Sequence, residues 1–152
     1  MKHITKTQPS KIQGIVKEFP TLFDQAFSID CGDGWAELVR LVCKYFQMNV
    51  DGKQEVKEIK FSQIKEKFGF LRVYFNISFH KDTKDTQNTY ERMHMFIFAI
   101  ENISGLVCET CGIMKTAKKN VQIRTPGSFW KKTMCDKCFE KAEKAYKKRM
   151  KD

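Results

Sequence analysis

The sequence predicts an α+β protein: a helix–β-hairpin–helix core, then a four-cysteine zinc ribbon and a basic terminal helix. Three observations carry that expectation. Residues 35–48 and 89–104 repeat apolar side chains at three- and four-residue steps, the period of a half-buried helix. Between them, residues 70–80 alternate apolar and polar side chains with the period of a strand. Behind both stand two Cys-x-x-Cys pairs, Cys108/Cys111 and Cys135/Cys138, a spacing that lets four sulfurs converge on one ion.

Composition sets the outer limits. A chain of 152 residues, 41% hydrophobic and with 13 phenylalanines, can bury a real core. Its formal charge of +10 favours anionic partners, whether nucleotide or nucleic acid. That charge is uneven. Asp24, Asp30, Asp33 and Glu37 stand in a stretch without a base, whereas Lys131–Lys151 is dominated by lysine. No apolar run approaches the ~18 residues that cross a bilayer, so no membrane partner is expected. The first residues lack the apolar stretch of a signal peptide, which predicts a cytoplasmic protein. Thiols stay reduced in that compartment, so paired cysteines point to metal rather than disulfides.

Residues 1–10 are polar and expected to be mobile. A short helix is predicted over Lys11–Glu18, before Pro20. Gly32 and Gly34 flank Asp33 in a tight turn, with Asp33 or Gly34 as N-cap of a helix over Trp35–Met48. Asn49–Gly52 is read as a turn. Strands are predicted over Lys57–Lys65 and Phe70–His80, joined near Glu66–Gly69. In the second, Leu71, Val73, Phe75, Ile77 and Phe79 share a face that buries. The opposite face, with Phe70, Arg72 and Tyr74, suits either plain surface or a ligand platform.

After a polar loop over 81–88, a helix is predicted for Thr89–Ser104. Met93, Phe96, Ile97, Ile100 and Ile103 form its apolar stripe, a core feature, and Gly105 is its C-cap. The core unit is thus residues 11–105. A zinc ribbon follows at 106–138, with strands over Asn120–Arg124 and Phe129–Met134 around Thr125–Gly127. A basic helix, Phe139–Met150, fills 139–152.

Four thiolates suit one structural Zn2+, and all four positions come from protein, leaving none for an activated water. A redox dithiol would need one pair in a thioredoxin-like βαβ setting, which the sequence lacks. Cys31 and Cys43 read as buried thiols. His3, His80 and His94 are scattered and form no ligand motif. No phosphate loop, paired carboxylates or nucleophile–base pair is evident, so no enzyme is expected.

Together, Cys31-Gly-Asp-Gly-Trp35, Ile64-Lys-Glu-Lys-Phe-Gly69, Leu71, Arg72 and Tyr74, Ser104, Cys108-Glu-Thr-Cys111-Gly112, Trp130, Thr133 and Cys135-Asp-Lys-Cys138 form a distinctive order. This order resembles a family of small uncharacterised zinc-ribbon proteins of tailed bacteriophages and prophages, over roughly Phe19 to Cys138. The chain departs from the family's usual glycine pair, having Gly69-Phe70. The resemblance implies a viral origin and the cytoplasm of a bacterial host. It brings no settled activity.

Three functions fit. The first is capture of a phosphate-bearing ligand, as an anti-defence protein that sequesters a nucleotide immune signal. Lys65, Lys67 and Arg72 would meet phosphate, and Trp35, Phe68, Phe70 and Tyr74 would stack a base. Asp30 or Asp33 would accept from hydroxyls or an amine. The plainer alternative makes these aromatics core, the lysines surface and the aspartates caps. The second function is nucleic-acid binding through the basic terminal helix. The third is inhibition of a host protein by direct contact. Homo-oligomerisation is left open.

Overall fold

The computed structural model describes residues 10–52, 55–81, 83–127 and 130–151. Residues 1–9, expected to be mobile, and Phe129, the expected start of the second ribbon strand, lie outside the described residues. The chain is a mixed α+β structure.

Helix α1 (Lys11–Glu18) occupies the predicted stretch. The Ser10 hydroxyl accepts from Ile12 N at 3.2 Å, which satisfies one open amide of the first turn. Ile12 and Ile15 bury. The chain then enters a 3-10 turn, Pro20–Leu22, because a residue before proline is steered out of the helical region.

Strand β1 (Phe23–Asp30) corrects the expectation of a simple hairpin core. It pairs in parallel with β2 (Val56–Lys67), which pairs antiparallel with β3 (Phe70–Phe79), giving the order β1-β2-β3. A parallel pair needs a crossover. Here the crossover is a 3-10 turn, Asp33–Trp35, and helix α2 (Ala36–Gly52). The segment Asn49–Gly52, read as a turn, is its last turn. Asn49 Nδ2 donates to Tyr45 O at 2.7 Å, and Gln47 Nε2 to Asp51 Oδ1 at 2.8 Å.

The β2–β3 turn is tight. Phe68 and Gly69 have φ of 55° and 87°, and positive φ at both central residues suits the right-handed twist of a hairpin. A register shift between Phe61 and Gln63 changes which side chains of β2 point inward. Ile59 and Phe61 bury before it and Ile64 after it. Lys65 and Lys67 therefore face away from the core.

Helix α3 (Thr86–Ser104) begins three residues earlier than predicted. Met93, Ile97 and Ile100 bury, Phe96 is half-buried against Tyr45, and Ile103 is exposed. The last turn covers the outer edge of β3: Ser104 Oγ accepts from Leu71 N at 2.8 Å and Glu101 Oε1 from Val73 N at 3.1 Å. These bonds satisfy amides that an open edge would present to other chains. Gly105 caps the helix with right-handed φ of −66°, not as a left-handed C-cap; a Cβ there would lie 2.6 Å from the Phe70 ring.

One apolar core joins α1, α2, α3 and the sheet's inner face. A smaller cluster, Cys108, Val121, Met134 and Cys135, lies in the C-terminal unit. There β4 (Val121–Arg124) pairs antiparallel with β5 (Lys132–Cys135). Helix α4 (Asp136–Arg149) starts directly after β5, inside the second cysteine pair, and none of its described residues is buried.

Candidate metal centre and the adjoining cleft

The first knuckle is a small hairpin. Cys108 N donates to Ile113 O at 2.9 Å and Gly112 N to Cys108 O at 2.8 Å, with Val107 bridged to Met114. Gly112 holds φ of 77°, where a side chain would be strained. The second pair uses a different device. Cys135 is the N-cap residue of α4 and Cys138 lies three residues on, so both sulfurs sit over one turn at the positive end of the helix.

The sulfurs of Cys108, Cys111, Cys135 and Cys138 all lie within 4.8 Å of one another, a set that can hold a metal ion. The cysteines are unlinked, with Cys111 and Cys135 Sγ atoms 3.7 Å apart. Burial opposes ionisation of Cys108, but the N–H groups of Cys135, Cys111 and Thr110 override it and bring its thiol down to about 7. Burial and neighbouring sulfurs push Cys138 up, and burial raises Cys111. Four crowded thiols resist becoming four thiolates without a compensating cation, so the donor set fits a bound metal.

The metal knuckle is joined to the core through the Cys31-Gly-Asp-Gly-Trp35 turn. Gly34 N donates to Glu109 O at 2.8 Å, Gly32 N to Glu109 Oε1 at 2.9 Å, and Trp35 Nε1 to Val107 O at 2.8 Å. The contact needs glycine. A Cβ on Gly34 would lie 2.2 Å from Cys108 O, and one on Gly32 would lie 2.4 Å from Glu109 O. The hairpin tip makes the second joint. Thr133 Oγ1 donates to Gly69 O, and a Cβ on Gly69 would meet the Ile123 side chain at 2.8 Å. Two motifs that look like ligand loops in sequence thus bind the ribbon to the core.

These joints reassign two predicted ligand residues. Trp35 is 0% exposed, packs in the apolar core and donates its indole N–H to Val107 O, so its ring lines neither cavity between hairpin tip and ribbon. Asp33 accepts from Ser10 Oγ at 2.6 Å and from Lys11 N at 3.1 Å. It caps α1 from across the fold, rather than capping α2. The Ser10 hydroxyl, against the opposing effect of burial, holds its carboxyl below the usual range.

The other five predicted residues lie on the hairpin's outward face but divide between two places. Arg72 Nη1 is 3.3 Å from Glu101 Oε2, and its guanidinium lies 5.6 Å from the Phe70 ring centre. Tyr74 carries Lys65 Nζ over its ring at 5.2 Å. Lys65, Lys67 and Phe68 instead line a cleft of about 500 Å³ with Asp30, Glu66, Trp130 and Lys131. Register explains the grouping, since Asp30 pairs with Lys65 across β1–β2. Phe68 is 67% exposed, with Lys67 Nζ 5.6 Å from its ring centre, and Trp130 is 73% exposed.

A second cavity, about 380 Å³, shares Asp30, Glu66 and Trp130 with the first and reaches inward to Cys31, Glu109 and Lys132. Burial pushes the Glu109 carboxyl up, with Lys132 acting the other way. Burial also pushes Cys31 and Cys43 up to about 12, which keeps both as thiols near neutral pH. No ligand role is read for Glu109, Glu66 or Lys132 in the sequence, although Glu66 and Glu109 stand inside the quoted motifs. Each reads as an ordinary polar residue until the ribbon folds against the core.

Against protein families, curated proteins and solved structures, the chain finds no match. No helix among the described residues is long and apolar enough to cross a membrane.

Proposed function

We propose that the four cysteines hold one structural Zn2+ and that the protein is a non-enzymatic binding protein for a phosphate-bearing ligand. Soft thiolates at tetrahedral spacing suit zinc, and with four protein ligands the ion keeps no open position for catalysis. Its work is to fold the ribbon, and metal binding in such modules contributes on the order of 10 kcal/mol. The ribbon in turn forms one wall of the cleft.

The observation that carries the ligand reading is the pair of adjoining cavities between hairpin tip and ribbon. Ligand sites favour such junctions between structural units. Lys65, Lys67 and Lys131 supply positive charge for phosphate, while Phe68 and Trp130 supply faces for a planar ring. Asp30 and Glu66 supply acceptors. A nucleotide needs that combination. The phage resemblance extends the reading to an anti-defence protein that sequesters a nucleotide immune signal in a bacterial cytoplasm. Isothermal titration of zinc-loaded protein with linear, cyclic and ADP-ribose-derived nucleotides tests it. Saturable heat with at least one supports capture, and no heat with any removes it.

One observation favours a second reading, a nucleic-acid-binding accessory or regulatory protein. Helix α4 buries none of its described residues and ends on Lys147, Lys148 and Arg149. A basic face of this kind tracks phosphates, with affinity that falls steeply as salt rises. A mobility shift abolished by Lys144→Glu and Lys148→Glu together would favour this reading. A shift unchanged by that double variant would count against it.

A further inference from the structure

We infer that the inner cavity reads guanine, with the Glu109 carboxylate accepting hydrogen bonds from the base. This inference rests on the nucleotide reading above and adds the identity of the base. Glu109 is 2% exposed, yet its carboxylate is only half satisfied. Oε1 accepts from Gly32 N at 2.9 Å and lies 3.6 Å from Lys132 Nζ. Oε2 is buried with no hydrogen-bond partner among the described residues. A buried carboxylate oxygen without a donor costs stability, so the site is short of one N–H or O–H group.

The surroundings say what kind of group would supply it. Three carboxylates, Glu109, Glu66 and Asp30, outnumber the single cation Lys132 in this lining, so phosphate is disfavoured there and a hydrogen-bond donor is favoured. A carboxylate accepts best from two donors side by side. Among the common bases only guanine presents that edge, its ring N1–H beside its exocyclic amine. Adenine and cytosine place a donor next to an acceptor, and uracil sets one N–H between two carbonyls. Trp130 borders both cavities, between the base pocket and the lysines. Lys65, Lys67 and Lys131 then meet the phosphate in the outer cleft. Asp30 and Glu66 line both cavities, but carboxylates outnumber cations within and lysines outnumber carboxylates without, which favours one orientation of the bound nucleotide.

Calorimetric titration of the full, zinc-loaded chain with GMP, IMP and AMP tests this. IMP keeps the ring N–H and lacks only the amine. GMP is expected to bind roughly tenfold or more tightly than IMP, the value of one lost base-edge contact, and more tightly than AMP. In Glu109→Gln the GMP preference over IMP should fall to about twofold or less. Trp130→Ala should weaken all three nucleotides and keep their order. The wild-type comparison stands without either variant. Equal affinities, or a preference for AMP, would overturn the guanine assignment and leave nucleotide capture in place. No binding by any nucleotide would overturn both.

Discussion

The Gly34 amide donates to the Glu109 carbonyl at 2.8 Å, and the Cβ that Gly34 lacks would lie 2.2 Å from the carbonyl oxygen of Cys108. The turn after β1 and the backbone of the first metal knuckle are therefore in van der Waals contact. Because Cys108 and Glu109 are neighbours, one segment serves both the four-cysteine cluster and the lining of the inner cavity.

Gly34→Ala is accordingly expected to destabilise the protein by about 3 kcal/mol, since backbone meets backbone and neither can rotate away. Urea unfolding of zinc-loaded protein measures it. A loss under about 0.5 kcal/mol would mean that the two segments are not in contact.

Removing the hydroxyl of Thr133 tests the second joint. Thr133 is buried and its Oγ1 donates to Gly69 O. Thr133→Val keeps the shape, leaves that carbonyl unpaired and should cost roughly 1–2 kcal/mol. An unchanged unfolding midpoint would contradict the joint.

Asp33 links stability to pH. Its folded carboxyl titrates below the ordinary value, chiefly through the Ser10 hydroxyl. The stabilisation it gives is present above the ordinary carboxylate pKa of about 3.9 and is lost as pH falls through the lower folded value. Asp33→Asn should therefore be less stable than wild type at pH 7, by at most about 1 kcal/mol at this solvent-accessible site. The gap should close in acid. Acid release of metal affects both proteins alike, so a gap that is constant from pH 7 to about pH 3 would exclude the link.

Arg72 and the cleft lysines should separate cleanly. Arg72 is paired with Glu101, so Arg72→Ala is expected to lower stability by about 1 kcal/mol and leave nucleotide affinity unchanged. Lys67→Ala with Lys131→Ala should do the reverse, weakening nucleotide binding roughly tenfold with little change in unfolding. Titration and unfolding of the same samples check both. An affinity loss in Arg72→Ala would return that residue to the ligand set.

The helices and hairpin were legible in sequence because their signals are local. Pro20 stops α1, and the alternation Leu71, Val73 places β3. Strand β1 was missed because only Phe23 is fully buried along it and its partner lies in β2, beyond an intervening helix. Asn49–Gly52 resembles a turn until Asn49 and Gln47 bond back along the helix. The cysteine spacing pointed directly to the four sulfurs that the fold brings within 4.8 Å of one another, a set that can hold a metal ion. Of the proposed ligand residues, Lys65, Lys67 and Phe68 lie together by virtue of one tight turn. Trp35 and Asp33 misled for a physical reason: an aromatic and a carboxylate beside glycines suit a ligand loop, and their true partners, Val107 and Ser10, are 72 and 23 residues away.

Native mass spectrometry of the purified chain is the most direct check on the metal centre that organises both ribbon and cleft. The expected mass corresponds to one zinc ion per chain, and Cys135→Ser should lose the ion, with hydrogen exchange showing loss of the ribbon's protected amides. A chain without metal, or one lighter by the hydrogens of a disulfide between these cysteines, would contradict it.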